Sequence, residues 1–251
     1  MPRTATLVVL SSWRSPILAP TVNTLSSAGV PVNFIVFDGE EDDRSLAIHR
    51  ERTQGYFKEH SVFDMEGLHI PCFFVKELNS PGSLSLLGRL KADLLVNGGI
   101  RSILRPPLLS VARIGVVNSH PGLLPKYRGC TCLEWAIYND DPIGSTCHFM
   151  NEKIDAGPLV YGEEMPVFRG QPYEELRSRI IDHSASVLSK GIRRILEEGL
   201  RPEELPAPPT GNYFRVIAQE QLEKVKEKLR TGTYGRYADA AAIAGLNGAE
   251  I

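Results

Sequence analysis

The chain of 251 residues is long enough for one large domain, or for one domain with a small appendage. A formal net charge of -2 and a hydrophobic fraction of 42% are ordinary for a globular protein and exclude a strongly basic nucleic-acid or membrane surface. The apolar run at residues 5–10 is too short for a secretory signal, and no later run reaches the roughly 18 apolar residues of a membrane span. We therefore expect a cytoplasmic protein.

Four cysteines occur in the chain, and their spacing fits neither a zinc site nor a redox pair. Free thiols in a reducing compartment are the simplest interpretation. We predict no metal site.

The chain opens with a strand–helix–strand pattern. Residues 6–10 are continuously apolar, as in a buried strand, and residues 11–16 are predicted to form a turn. In that turn, Ser15 is expected to cap the following helix and Pro16 to occupy its first position. A second buried strand is predicted at residues 32–37. This order indicates a parallel sheet.

The alternation of predicted strands and helices continues along the chain. Further strands are predicted at residues 71–75, 92–96, 116–120, 145–150 and 159–167. Helices are predicted within residues 40–59 and at residues 84–90, 103–109, 131–138, 172–198 and 217–229. These elements predict an α/β fold, with a mostly parallel sheet and helices on both faces.

The domain organisation follows from composition. Residues 1–200 are predicted to form one large domain, and residues 201–251 a Pro-rich linker with a short helical extension. The Gly- and Ala-rich residues 231–251 are expected to be poorly ordered. Pairing of long amphipathic helices leaves a homodimer open.

One stretch near the middle carries the chemistry. Val116 and Val117 lead into Asn118 and His120, and Pro121 then ends the strand. Because residues i and i+2 of a strand point the same way, the amide and the imidazole are expected to project together beyond the strand end. Ligands of open parallel sheets bind there, and such a pair suits acyl chemistry. A carboxylate is needed to orient the imidazole, and Asp155 is the candidate.

Residues 118–129 read Asn-Ser-His-Pro-Gly-Leu-Leu-Pro-Lys-Tyr-Arg-Gly, and residues 154–158 read Ile-Asp-Ala-Gly-Pro. These two segments closely resemble the motifs of the 10-formyltetrahydrofolate-dependent formyltransferase family, which includes glycinamide ribonucleotide, methionyl-tRNA and sugar N-formyltransferases. The resemblance is dense over residues 92–160 and weak before residue 92 and after residue 172. It implies a Rossmann-like formyltransferase fold and 10-formyltetrahydrofolate as formyl donor.

The resemblance also implies roles for residues. Asn118, His120 and Asp155 match the catalytic set of the family. In that set, Asn118 and protonated His120 hold the oxyanion, while Asp155 orients His120 and helps to relay protons.

A folate cleft is implied by the same resemblance, between the loop before the Asn118 strand and the backbone of the Asp155 loop. Its residues here are Asn97, Gly98, Gly99, Ile100, Arg101, Ile103, Leu104, Met150 and Ile154. The two glycines allow a flat ring to approach the backbone. An ordinary strand-to-loop turn also accounts for them.

The acceptor is harder to assign. The candidate acceptor residues are Ser11, Ser12, Trp13, Arg14, Lys126, Arg128 and His148. Trp13 indicates stacking on a ring, and the serines and Arg14 suit an anion. A turn-stabilising role for Lys126 and Arg128, and a packing role for His148, remain open.

Departures from known relatives narrow the choice of acceptor. The Gly-rich phosphate loop of the purine enzyme is replaced by Ser11 to Pro16. We expect neither the long C-terminal barrel of the tRNA enzyme nor the N-terminal regulatory domain of a formyltetrahydrofolate hydrolase. We expect a small-molecule amine as partner, foremost an amino-sugar nucleotide, and no nucleic acid or membrane. Glycinamide ribonucleotide, an amino acid, a natural-product amine, and a non-catalytic folate- or nucleotide-binding role remain open.

Overall fold

The computed structural model describes residues 5–13, 15–41, 43–56, 69–100 and 102–238. The strands are β1 (Leu7–Trp13), β2 (Phe34–Glu41), β3 (Cys72–Val75), β4 (Leu94–Asn97), β5 (Gly115–His120), β6 (Tyr127–Gly129), β7 (Gly144–Phe149), β8 (Leu159–Glu164) and β9 (Asn212–Phe214). The α-helices are α1 (Leu18–Ser27), α2 (Asp43–Thr53), α3 (Pro81–Leu90), α4 (Pro106–Leu109), α5 (Cys132–Tyr138), α6 (Tyr173–Glu198) and α7 (Gln219–Thr231).

One seven-stranded sheet organises the molecule, in the order β3-β2-β1-β4-β5-β7-β8. The pairs among β1 to β5 are parallel, and β7 and β8 are antiparallel to their neighbours. The mostly parallel α/β sheet that the sequence predicts is therefore confirmed. The carboxyl ends of β1, β4 and β5 meet at one edge, where open α/β sheets bind ligands.

Helices cover both faces of this sheet, as predicted. On one face α1 and α6 pack against the strands, with Val22 and Ile192 fully buried. The apolar stripe of α6 is thus core. On the other face α3 and α4 contribute buried Leu87 and Leu108. Within the described ranges, no helix combines the length and the apolar character needed to cross a membrane.

The predicted turn at residues 11–16 is wrong, because β1 continues through Ser11 and Ser12 to Trp13. Both serines pair with β2 in parallel register. The hydroxyl of Ser11 also donates to the carbonyl oxygen of Gly98 at 2.9 Å. Ser11 and Ser12 interrupt the apolar pattern of β1, yet their backbone still pairs with β2.

The predicted start of α1 is wrong by two residues. The helix begins at Leu18, and the residue before it is Ile17, whose side chain makes no capping hydrogen bond. The carbonyl of Ser15 instead accepts from the Leu18 N–H at 3.2 Å, so Ser15 and Pro16 form a turn ahead of the helix.

A short parallel pair, β6 with β9, was not predicted from the sequence. Phe214 of β9 stacks on Tyr127 of β6, with ring centroids 5.1 Å apart. Its carbonyl accepts from the Cys130 N–H at 2.9 Å. The C-terminal segment therefore packs beside the loop that follows His120, and α7 packs back on the domain as predicted, burying Val225. Residues 239–251 lie outside the described ranges.

Candidate active site

Three polar side chains form a row across β4, β5 and β7. The register pairs Val96 with Val117 and Asn118 with His148, so Asn97, Asn118 and His148 stand side by side. The Nδ2 of Asn97 donates to Oδ1 of Asn118 at 3.0 Å. The Nδ2 of Asn118 lies 3.3 Å from Nε2 of His148. The row crosses the sheet at its carboxyl edge.

His120 lies on the same side of β5 as Asn118, as the strand period predicts, and only 4% of it is exposed. Its Nε2 lies 2.8 Å from the carbonyl oxygen of Tyr127. A carbonyl only accepts hydrogen bonds, so Nε2 carries the hydrogen. Its Nδ1 lies 3.4 Å from Oδ2 of Asp155. The nitrogen that gains or loses a proton is therefore Nδ1, and it faces a carboxylate.

Asp155 is held from several sides in the loop between β7 and β8. Its φ of +49° places it in the left-handed region. Its Oδ2 accepts from the backbone N–H of Gly129 at 3.0 Å. The guanidinium of Arg128 donates to the carbonyl of Ile154 at 2.7 Å, which ties the loop to β6. The other carboxylate oxygen lies 3.8 Å from Nε2 of His148, so Asp155 stands between two imidazoles.

Burial determines the charge state of both imidazoles. It lowers the pKa of His120 below its ordinary value, and the opposing effects of Asp155 and of the Tyr127 carbonyl are smaller. Burial also lowers the pKa of His148 to about 4, against the effects of the Phe149 carbonyl and Asp155. Both side chains are therefore neutral near pH 7 before any ligand binds.

A large cleft opens beside Asp155. Its volume is about 780 Å³, and its walls include Pro106 and Leu109 of α4, Met150, and Pro208 of the Pro-rich segment. Of the predicted folate residues, Met150 lies in this wall. The contribution of residues 207–210 was missed, because nothing local in the sequence says where a linker packs.

Among the other predicted folate residues, Asn97 ends β4 and Gly98 and Gly99 directly follow it. Gly98 and Gly99 approach β1 and the start of α1 so closely that an added Cβ would lie 2.5 Å from Val9 and 1.9 Å from Ser15. Close packing thus requires both glycines. The remaining predicted positions differ in exposure: Ile100 is half-buried, Ile103 is 72% exposed, Leu104 is buried, Ile154 is 49% exposed, and Arg101 lies outside the described residues.

The predicted acceptor residues fall into two groups. Ser11 and Ser12 are fully buried within β1, and Arg14 lies outside the described residues. Lys126 pairs with Asp141 at 2.6 Å, while Arg128 bonds to the Asp155 loop as described above.

Trp13 lies in an aromatic cluster at the carboxyl edge of the sheet. Its ring centroid is 5.3 Å from those of Phe37 and Phe74, which themselves stack at 5.0 Å. Phe37 is buried, but Phe74 is 61% exposed. The cluster therefore extends from β1 to β3 and presents aromatic surface to solvent at Phe74, on the strand four places away from β5.

The fold and this site define an α/β protein with an Asn–His–Asp set, centred on a buried histidine, at the carboxyl edge of its sheet. The chain belongs to the formyl transferase family, whose model matches residues 6–192.

Known proteins of this family are similar to the chain at modest identity. Methionyl-tRNA formyltransferase of Methylacidiphilum infernorum (isolate V4) is 33% identical over 203 residues, which cover 77% of this chain and 62% of the relative. The chain spans less than two thirds of the length of the first curated relatives it matches.

Solved structures share the fold. Phosphoribosylglycinamide formyltransferase from Anaplasma phagocytophilum aligns with a TM-score of 0.59 at 23% identity, covering 85% of this chain and 100% of that structure. A 4-N formyltransferase from Francisella tularensis aligns with a TM-score of 0.58 at 20% identity, covering 90% and 87% respectively.

Proposed function

We propose that this protein transfers the formyl group of 10-formyltetrahydrofolate to a primary amine of a small molecule. The observation that carries the proposal is the convergence of Asn118, His120 and Asp155 beside a cleft of about 780 Å³. That volume lies within the roughly 300–1,000 Å³ typical of small-molecule sites. Membership of the formyl transferase family supports the same donor.

The cleft suits the donor in shape and chemistry. Met150 offers an adaptable apolar surface to a flat ring, and the adjoining backbone of the Asp155 loop offers polar groups. Lys153 and Arg128 line the same cleft and can pair with the carboxylates at the far end of a folate.

The residues divide the chemistry between them. When the amine attacks the formyl carbon, negative charge grows on the formyl oxygen and positive charge on the attacking nitrogen. Asn118 donates an N–H to that oxygen. Neutral His120 takes the proton of the attacking nitrogen at Nδ1, and Asp155, 3.4 Å away, stabilises the cation that forms.

Breakdown of the tetrahedral intermediate completes the transfer. The bond from the formyl carbon to N10 of the folate breaks, and His120 returns its proton to N10. The resemblance implied that a protonated His120 holds the oxyanion. We assign the neutral form to the starting state, because burial lowers the pKa of His120.

An amino-sugar nucleotide is the acceptor that the molecule supports best. Trp13 and Phe74 present aromatic surface at the carboxyl ends of β1 and β3. Because neighbouring strands lie about 4.8 Å apart, Trp13 is roughly 10 Å and Phe74 roughly 19 Å from the end of β5. That span suits a sugar at the catalytic residues with a base stacked on the cluster. β1 continues through buried Ser11 and Ser12, at the place where the purine enzyme carries its Gly-rich phosphate loop.

The sequence similarity to methionyl-tRNA formyltransferases favours a second candidate acceptor, an aminoacyl-tRNA. Two features weigh against it. The net charge is -2, and acidic Glu152 and Asp155 accompany the cations of the cleft. Surfaces that bind nucleic acid are positively charged.

An assay of formyl-donor consumption with separate acceptors tests the function. The panel contains an amino-sugar nucleotide, glycinamide ribonucleotide, free amino acids and methionyl-tRNA. We expect turnover with the sugar nucleotide, and an increased acceptor KM for Phe74→Ala. Phe73→Ala is the matched control, because Phe73 packs on Phe34 on the other face of β3. Formylation of methionyl-tRNA alone would support the second candidate, and no formylation of any amine would overturn the proposal.

A further inference from the structure

We infer that Asn97 is a positioning residue that holds the carboxamide of Asn118 in its working orientation, an inference that rests on the proposed function. The side chains of Asn97, Asn118 and His148 form one hydrogen-bonded row across three strands. An asparagine amide can be turned by half a rotation with little change of shape, which exchanges its donor and its acceptor. Its neighbours must therefore decide which end faces where.

The orientation of Asn97 is determined by backbone groups. Its Oδ1 accepts from the N–H groups of Gly99 at 2.9 Å and Ile100 at 3.0 Å. Because an N–H only donates, the oxygen must face the turn. The Nδ2 of Asn97 then faces Asn118 and donates to its Oδ1 at 3.0 Å.

The other end of the row specifies the same arrangement independently. The Nδ1 of His148 lies 2.9 Å from the carbonyl oxygen of Phe149, so Nδ1 carries the hydrogen. Burial keeps this imidazole neutral, and Nε2 is then an acceptor. It accepts from Nδ2 of Asn118 at 3.3 Å.

The consequence for catalysis concerns the second hydrogen of the Asn118 amide. One N–H is used by His148, and the other is left to donate to the formyl oxygen. A reversed amide would set oxygen against the lone pair of His148 and nitrogen against the nitrogen of Asn97. It would also present an acceptor to a developing negative charge.

Asn97→Asp isolates this effect. Aspartate keeps an oxygen for the N–H groups of Gly99 and Ile100, but it replaces the donor to Asn118 by a second acceptor. Losing one oxyanion donor typically costs about 100- to 1,000-fold in kcat, and partial disorder of that donor should cost about 10- to 100-fold. We expect this loss in kcat, with the donor KM changed less than about twofold.

Asn33→Asp is the matched control. Asn33 directly precedes the first residue of β2, at the opposite edge of the sheet. Its Oδ1 accepts from the Leu7 N–H at 2.8 Å. It receives the same chemical change, and its kcat should equal that of the wild type. A raised donor KM with an unchanged kcat in Asn97→Asp would make Asn97 a folate ligand and overturn the inference.

A double-mutant cycle removes the remaining alternative, a general structural role. In an Asn118→Ala background there is no amide left to orient, so Asn97→Asp should lower kcat less than about twofold further. Independent losses that multiply in the double variant would overturn the inference.

The inference can fail separately from the proposed function. A wild-type protein that formylates no amine would defeat the function only. Hydrogen exchange of the Asn118 side-chain amide, followed by nitrogen-15 NMR, then tests the orientation. We expect slow exchange in the wild type and in Asn33→Asp, and exchange at least about tenfold faster in Asn97→Asp. Equal exchange in all three would overturn it.

Discussion

The carbonyl oxygen of Tyr127 accepts a hydrogen bond from Nε2 of His120 at 2.8 Å. This bond connects the site to β6 and, through β6, to β9, a strand far away in sequence. Tyr127 belongs to β6, which pairs with β9 and stacks on Phe214. The same short strand supplies the Gly129 N–H to Asp155. One segment thus positions both the imidazole and its carboxylate, and the C-terminal chain supports that segment.

Phe214→Ala should weaken this support. The ring is half-buried against Tyr127 and Trp135, so we expect a loss of roughly 2 kcal/mol in the free energy of unfolding, below the 3–5 kcal/mol of a fully buried Phe. We also expect a fall in kcat, because β6 loses its packing partner. Tyr213→Ala is the matched control, since Tyr213 is the neighbouring residue and 52% exposed. Urea denaturation and steady-state kinetics measure both effects, and equal behaviour of the two variants would contradict the prediction.

Asp155→Asn should move the pH dependence of the reaction in a defined direction. Asp155 raises the pKa of His120 against the larger effect of burial, so its neutralisation lowers that pKa further. If neutral His120 is the active form, the acid limb of kcat/KM shifts to lower pH. The plateau falls because the imidazolium formed during transfer loses its partner. A pH–rate profile checks this, and an acid limb that moves upward would exclude neutral His120 as the base.

Folding stability should decrease in acid because of His148. Its pKa is about 4 in the folded protein and about 6.5 when unfolded, so the unfolded state binds more protons between these values. Stability is therefore complete above pH 6.5 and falls as the pH drops toward 4, by roughly 3 kcal/mol for this group.

This pH dependence of the unfolding free energy has a direct control. His148→Gln cannot titrate, so the difference in unfolding free energy between pH 7.5 and pH 4.5 should shrink relative to the wild type. His69→Gln, at an exposed position, should keep the wild-type difference. Urea denaturation at the two pH values measures this difference. If His148→Gln kept the wild-type difference, the acid sensitivity would belong to other groups.

Local patterns predicted the parts of the site that depend on local geometry. The strand period placed Asn118 and His120 on one side, and the Gly-Pro sequence of the loop after β7 pointed to Asp155. The pairing of β6 with β9 was missed because three residues are too few to form an apolar pattern.

The role inferred for Asn97 also lies beyond local reasoning. It depends on the register of β4 and β7 against β5, which places three residues from separate strands in one row. For the same reason β1 was ended too early. The pairing partners of Ser11 and Ser12 lie on β2, and the small polar side chains by themselves resemble a turn.

Glu134 lies in a buried cluster that connects α5 with α6. It is fully buried on α5, accepts from the hydroxyl of Tyr173 at 2.7 Å, and lies 3.7 Å from Arg177 and 3.8 Å from Arg52. Glu134→Ala leaves two cations without their shared carboxylate, which should cost about 3–5 kcal/mol of unfolding free energy. Tyr173→Phe removes one hydrogen bond to a charged group and should cost roughly 1.5–3 kcal/mol.

The exposed pair of Glu197 and Arg193 on α6 provides the control for the buried one. Glu197→Ala should cost only about 0.3–0.5 kcal/mol, because solvent screens an i,i+4 pair on a helix surface. Thermal and urea denaturation of the three variants give the order. If Glu134→Ala were no more damaging than Glu197→Ala, water would have to reach the two arginines, and the buried cluster would not be the link between α5 and α6 that its contacts indicate.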